Sequence, residues 1–137
     1  MAPTARSKIP WTIAAIAVVA IGALLLMARG ASAGRHPEPR PGITAAEVLP
    51  SSAYAGYDRI VRAYEVAQQV PQVLDGLYCH CQCRENFNHR SLLSCFQSEH
   101  GASCDICIGE AAMAEEMHRQ GKALDEIRRA IDARFRS

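Results

Sequence analysis

All six cysteines of this 137-residue chain fall between Cys79 and Cys107, at positions 79, 81, 83, 95, 104 and 107. So dense a sulfur window constrains the fold more than any other feature, because crowded thiols must be bonded together, bound to metal or buried protonated. A disulfide needs Cα atoms about 4.4–6.8 Å apart with converging Cβ atoms, and joining Cys79 to Cys81 would close a tiny, strained ring. The thiols of the Cys79-x-Cys81-x-Cys83 run are therefore expected to bond more distant cysteines or to converge on a metal. Cys81, in the middle, is expected to be the least able to pair with either neighbour. Cys104-x-x-Cys107 differs, because the spacing falls at a predicted helix start, where the dipole favours a thiolate at Cys104.

Three chemistries fit this window. Six thiols with an export signal suit a small disulfide-stapled domain. The same thiols, with His80, His89 and His100 inside or beside the window, exceed the four ligands of one closed zinc site and suit Cu(I) or Zn(II). The candidate metal ligands are Cys79, Cys81, Cys83, Cys95, Cys104 and Cys107, with His89 and His100 as optional additions. The third chemistry is thiol–disulfide exchange, with Cys104 as nucleophile and Cys107 resolving; adjacent Asp105 opposes a low pKa at Cys104. No Ser nucleophile elbow, phosphate loop or HExxH motif is present, which argues against a hydrolase or transferase. The leading expectation is a non-enzymatic metal-binding protein. His118, and Met113 with Met117, are read as surface and core residues, respectively.

Ahead of the window, Arg6 and Lys8 precede an uncharged run from Trp11 to Ala28. As a helix it would be roughly 27 Å long, enough to cross a bilayer. Ala31-Ser32-Ala33 offers a signal-peptidase pattern, so residues 1–33 read as a membrane anchor or a cleaved signal peptide. Arg29 lies between the run and the cut and favours retention. The expected location is the cell membrane with the C-terminal domain extracytoplasmic, or export after cleavage near Ala33. The expected partner is the membrane. Nucleic acid is not expected, because residues 34–137 carry 12 basic against 14 acidic side chains, a formal −2.

Residues 34–42 hold three prolines and no apolar side chain beyond them, so a solvated linker is expected, dispensable for folding, with the domain over 43–137. Thr44 to Glu47 has capping-box spacing, but Pro50 limits it to a turn. A helix is predicted from Ser51 or Ser52 to Gln69, with Tyr54, Tyr57, Val61 and Tyr64 inward, and a short turn opened by Pro71. Tyr78 to Asn88 reads as a loop. Asn88 is expected to cap a helix over His89 to Ser98, with Leu92, Leu93 and Phe96 toward the core and Cys95 beside them. A longer helix is predicted from Ser103 or Cys104 to Gln120, ended by Gly121, with Ile108, Ala112 and Met113 inward. The last is predicted over Ala123 to Phe135, with Leu124, Ile127, Ile131 and Phe135 on one stripe. The fold class is all-α: a small bundle of about four helices with a cysteine-rich loop, preceded by one N-terminal membrane-spanning or signal helix.

Over about Ala67 to Phe135 the chain resembles the bacterial PCYCGC motif-containing proteins, usually exported lipoproteins of no established function. The likeness is carried by Val70 to Asp75, by Cys79-His-Cys-Gln-Cys83 as the motif, by His89-Arg-Ser-Leu92 leading to Cys95-Phe96, and by Cys104-x-x-Cys107. The ending Gly121-Lys122, Glu126 to Arg128 and Ile131-Asp132 also matches. Tyr78 stands for the motif's Pro, His80 for its Tyr and Gln82 for its Gly, and no lipid-attachment cysteine follows the apolar run. The resemblance implies membrane-attached export and a cysteine-rich site. A weaker likeness of the CxxC helix and its Gly-Lys ending to the small helical thiol reductases of cytochrome c maturation supports the exchange reading.

Overall fold

The computed structural model describes residues 35–136, and the anchor, signal and cleavage expectations for residues 1–33 lie outside that range. Among the described residues there is no strand, and no helix is long and apolar enough to cross a membrane. Six α-helices follow one another: α1 Asp58–Gln69, α2 Pro71–Asp75, α3 Cys83–Phe87, α4 Leu92–Phe96, α5 Asp105–Arg119 and α6 Leu124–Phe135. Short 3-10 turns cover Ala45–Glu47, Ser51–Tyr54 and Glu99–Ser103. The long helix α5 packs against both α1 and α6, and its first turn meets α4 and the preceding 3-10 turn.

The two C-terminal helices follow their sequence signals. Gly121 adopts φ +76°, its N–H donates to the His118 carbonyl (2.9 Å), and the Lys122 N–H donates to that of Met117 (3.1 Å). These two bonds form a Schellman ending, in which glycine takes the left-handed position at no Cβ cost. In α6, Ile127 and Ile131 are fully buried and Leu124 and Phe135 pack partly against the core. The inward face of α5 is rotated from the expected one: Ala111 and Ala114 are buried with Ile108, while Ala112 is exposed.

The expected helix over 51–69 is split. Gly56, at φ +92°, separates the 3-10 turn Ser51–Tyr54 from α1 and carries Tyr57 out to 66% exposure instead of into the core. Tyr64 does reach the centre, where its hydroxyl donates to the Ser98 carbonyl (2.6 Å), accepts from Tyr54 (3.1 Å) and its ring meets the edge of Phe96. A buried phenol with two partners retains its hydrogen bonds, so this tyrosine fixes α1 against the turn that carries His100. The helix expected over 89–98 is only α4, and Asn88, expected to cap it, instead ends α3 at φ +55°. Part of the expected 78–88 loop is thus helical.

Residues 37–40 carry no regular secondary structure and lie between turns, and the segment is pinned to the body through polar contacts. Arg40 donates to the fully buried Asp75 from its backbone N–H (2.7 Å), Nε (3.1 Å) and Nη2 (2.9 Å). Ser91 donates its hydroxyl to the same carboxylate (3.1 Å), so the residue before α4 holds α2 instead of capping its own helix. Arg128 of α6 donates to the carbonyls of Gly76 (3.1 Å) and Pro37 (2.7 Å). Buried His36 accepts the Tyr78 N–H at Nδ1 (2.9 Å) and contacts Asp132 through Nε2 (3.1 Å). These contacts argue against the expectation that 35–42 is dispensable for folding: its contribution is polar, and counting apolar side chains could not detect it.

Burial alone would raise the Asp75 carboxyl, but Arg40 and Ser91 more than offset that and hold it below the ordinary carboxylate value. Asp75→Ala would strand these donors and should cost about 3–5 kcal/mol, the range for breaking a buried charged pair from one side. Equilibrium urea unfolding measures this loss. Burial is the main cause that lowers His36 below 6.5, with Arg128 and His80 adding to it and Asp132 opposing. Because the unfolded chain then takes up the proton first, His36 should cost stability as pH falls through about 6.5. A pH series of unfolding midpoints should show a slope in that window that His36→Gln flattens.

Candidate functional site

The sulfurs come from every element around the first turn of α5. Cys79 and Cys81 lie between α2 and α3, Cys83 opens α3, Cys95 lies in α4, Cys104 precedes α5 and Cys107 sits in its first turn. The chain can bring three motif cysteines to one side because Gln82 takes the left-handed conformation, φ +61° and ψ +29°. That bend turns Cys83 back toward Cys81, with Cα atoms 5.5 Å apart and their sulfurs at disulfide distance. The expectation that Cys81 is the cysteine least able to pair with a neighbour is thus overturned. It rested on the strain of the tiny ring that cysteines two positions apart would close.

The remaining contacts knit five of the six cysteines into one cluster, which Cys104 joins through the second of the two groups below. Cys79 Sγ lies 3.3 Å from Cys81 Sγ and 3.4 Å from Cys107 Sγ, Cys81 is 3.6 Å from Cys107, and Cys83 is 3.5 Å from Cys95. Two groups of four have all their donor atoms within 4.8 Å of one another: Cys79, Cys83, Cys95 and Cys107, all buried, and Cys81, His100, Cys104 and Cys107, mostly half-buried. His100 aims Nε2 at Cys83 Sγ (3.1 Å), with the Phe87 ring centre 4.4 Å from its own. His89 lies outside both groups, with Nδ1 3.4 Å from Cys95 Sγ. In a tetrahedral tetrathiolate with bonds of about 2.3 Å the sulfurs stand about 3.8 Å apart, close to the 3.4 Å of Cys79–Cys107 and the 3.5 Å of Cys83–Cys95.

The buried thiols resist ionisation. Cys79 is raised well above an ordinary thiol, first by the Cys107 thiol beside it and then by burial and Glu110, against an opposing contribution from Cys95. At Cys107 the Cys79 contact lowers the pKa, but Cys95, burial and Cys104 outweigh it, and the thiol ends well above the ordinary value. Cys95 shows the same balance: Cys107 lowers it, while Cys79, burial and Cys104 carry it up. Such thiols give up their protons readily only to a cation that takes their place. An exchange nucleophile needs the reverse, so Cys79, Cys95 and Cys107 are unsuited to that role.

Beneath the sulfurs lies a polar group that sequence reasoning missed. Glu110 of α5 is fully buried; its Oε1 accepts the His80 N–H (2.9 Å) and lies 2.6 Å from His80 Nδ1. His80 Nε2 lies 3.0 Å from Asp132 Oδ1, the same oxygen that faces His36. Among the described residues, Glu110 Oε2 is the buried side-chain oxygen without a hydrogen-bond partner. Its position three residues after Cys107, on the same helix face, is the one signal that could have marked it.

A family model described as a protein of unknown function with PCYCGC motif matches residues 40–137. The chain belongs to this family. No curated protein and no solved structure matches it. Set against the six letters of the family motif, Tyr78 replaces proline, His80 tyrosine and Gln82 glycine. Each replacement has a structural counterpart: proline could not donate the N–H that Tyr78 gives His36, and His80 carries the contacts to Glu110 and Asp132. Gln82 stands in a conformation that glycine adopts freely. Gln82→Gly should therefore stabilise the protein by about 0.5–1 kcal/mol, the relief of left-handed strain less the extra entropy of the unfolded chain. Chemical denaturation of the full chain, comparing the two proteins, tests this.

Proposed function

We propose that this protein binds a thiophilic metal ion, Cu(I) or Zn(II), as a non-enzymatic, membrane-attached protein whose cysteine domain lies outside the cytoplasm. The observation that carries the metal reading is the convergence of Cys79, Cys83, Cys95 and Cys107, four buried sulfurs within 4.8 Å of one another. Four soft ligands at that separation suit a tetrahedral ion, and burial shields the thiolates from oxidants. The attachment reading rests on the uncharged run from Trp11 to Ala28, and a cytoplasm-specific reporter fused after Ser137 should stay silent.

Reduced full-length protein, kept anaerobic, should take up Zn(II) or Cu(I) and release protons as its thiols ionise. Cys79→Ser should weaken uptake by at least about tenfold, because it removes a direct ligand. Isolation under thiol-preserving conditions with all six sulfurs oxidised and no metal retained would replace this reading with a disulfide-stapled domain.

A second reading is supported by the Cys81–Cys83 pair at disulfide distance. In it the exchange pair is Cys81 with Cys83 rather than Cys104 with Cys107, and half-exposed Cys81 receives the attack because Cys83 is fully buried. A mixed disulfide on Cys81 trapped in Cys83→Ser, with rapid turnover of a model disulfide in the wild type, would favour it.

A further inference from the structure

The two convergent groups have one residue in common. Cys79, Cys83, Cys95 and Cys107 form the first, and Cys81, His100, Cys104 and Cys107 the second. Together they comprise seven residues, the number that two four-coordinate ions require when one thiolate serves both. Cys107 is suited to that position: it lies 3.4 Å from Cys79 in the first group and 3.6 Å from Cys81 in the second. We propose that the cluster is a binuclear centre for divalent thiophilic cations, a buried tetrathiolate site and a second Cys3His site, bridged by the Cys107 thiolate. The proposal rests on the metal-binding reading above and specifies its stoichiometry and charge.

Charge favours divalent ions. Six thiolates with two divalent cations carry a net charge of about −2, the same as one zinc tetrathiolate, whereas two monovalent cations leave about −4 in a poorly solvated site beside Glu110. Burial orders the two positions. Every ligand of the first group is buried, while Cys81, His100 and Cys104 of the second are only half-buried, so the second faces solvent. His100 is held for this role by the Phe87 ring and by Ser98, whose Oγ accepts the His100 N–H (3.3 Å).

Cys81 and Cys83 belong one to each group. A disulfide between them therefore withdraws one ligand from both sites at once. A dithiol restores both by exchange: its two sulfurs become a disulfide, and Cys81 and Cys83 each receive a proton and become thiols. Loading of the two positions is thus tied to a single two-electron step.

The test titrates the anaerobic full chain, reduced with a dithiol that is then removed, with Zn(II) against a chromophoric chelator, with native mass spectrometry to count ions. The expected result is two zinc ions per chain, falling to one in Cys104→Ser and in His100→Ala. Oxidation by a small-molecule disulfide should lower uptake at both sites together, and the dithiol should restore it. One zinc in the wild type, unchanged in either variant, would overturn the binuclear centre and leave the metal-binding reading standing; no zinc would overturn both. Wild-type protein loaded with 113Cd supplies a check that needs no variant. Two cadmium resonances, both coupled to the Cys107 β protons, support the bridge, and coupling of those protons to a single resonance overturns it.

Discussion

Four thiols occupy the middle of the apolar core, and the rest of the domain is arranged around that constraint. Cys79, Cys83, Cys95 and Cys107 pack in the same buried cluster as Leu77, Leu92, Leu93 and Phe96. A core normally gains its stability from side chains with no chemistry of their own. Here its centre is built of sulfurs close enough to bond to one another or to hold a metal. The short helices α2, α3 and α4 follow from this: each is only five residues long, enough to present one to three sulfurs or leucines before the chain turns back. Helices that short have little stability alone. Their order is sustained by what they surround, so the chemical state of the sulfurs and the integrity of this half of the domain are coupled.

How much of the fold could be read from sequence depended on the range of the interactions involved. The endings of α5 and α6 rest on contacts within a turn or two, so Gly121 and the Leu124, Ile127, Ile131 stripe announce them directly. The 3.6-residue period missed α3, because five residues complete too little of a second turn to display one; for α4 it found the helix and its buried face but overran both ends. It also misplaced Tyr57, because Gly56 breaks the helix one residue earlier. The cysteine window was legible as a site, but its partition was not: which sulfur meets which depends on the left-handed turn at Gln82, and glutamine gives no hint of that conformation. The partners of the N-terminal segment were wholly hidden, since His36 and Asp132 are 96 residues apart and neither belongs to a periodic pattern.

The chain's departures from its family motif fall together in space. Tyr78 donates to His36, His80 lies between Glu110 and Asp132, and Asp132 contacts both histidines as well as Arg136. A network of this kind is favourable when its members are all partnered and costly when one is removed. The replacements at positions 78 and 80 are therefore best understood as parts of one arrangement. They leave the sulfurs in place and change the surroundings of two of them, substituting a phenol and an imidazole for the motif's proline and tyrosine.

The anchoring of His36 also decides where the polypeptide enters the domain. Its imidazole is held by the backbone of Tyr78, the residue immediately before Cys79. The chain therefore arrives at the body alongside the sulfur cluster and not at the far ends of α5 and α6. A pull, a cut or a bulky attachment near position 35 would act first on the peptide that carries Cys79, so the mechanical state of the entering strand and the spacing of the sulfurs share one point of contact.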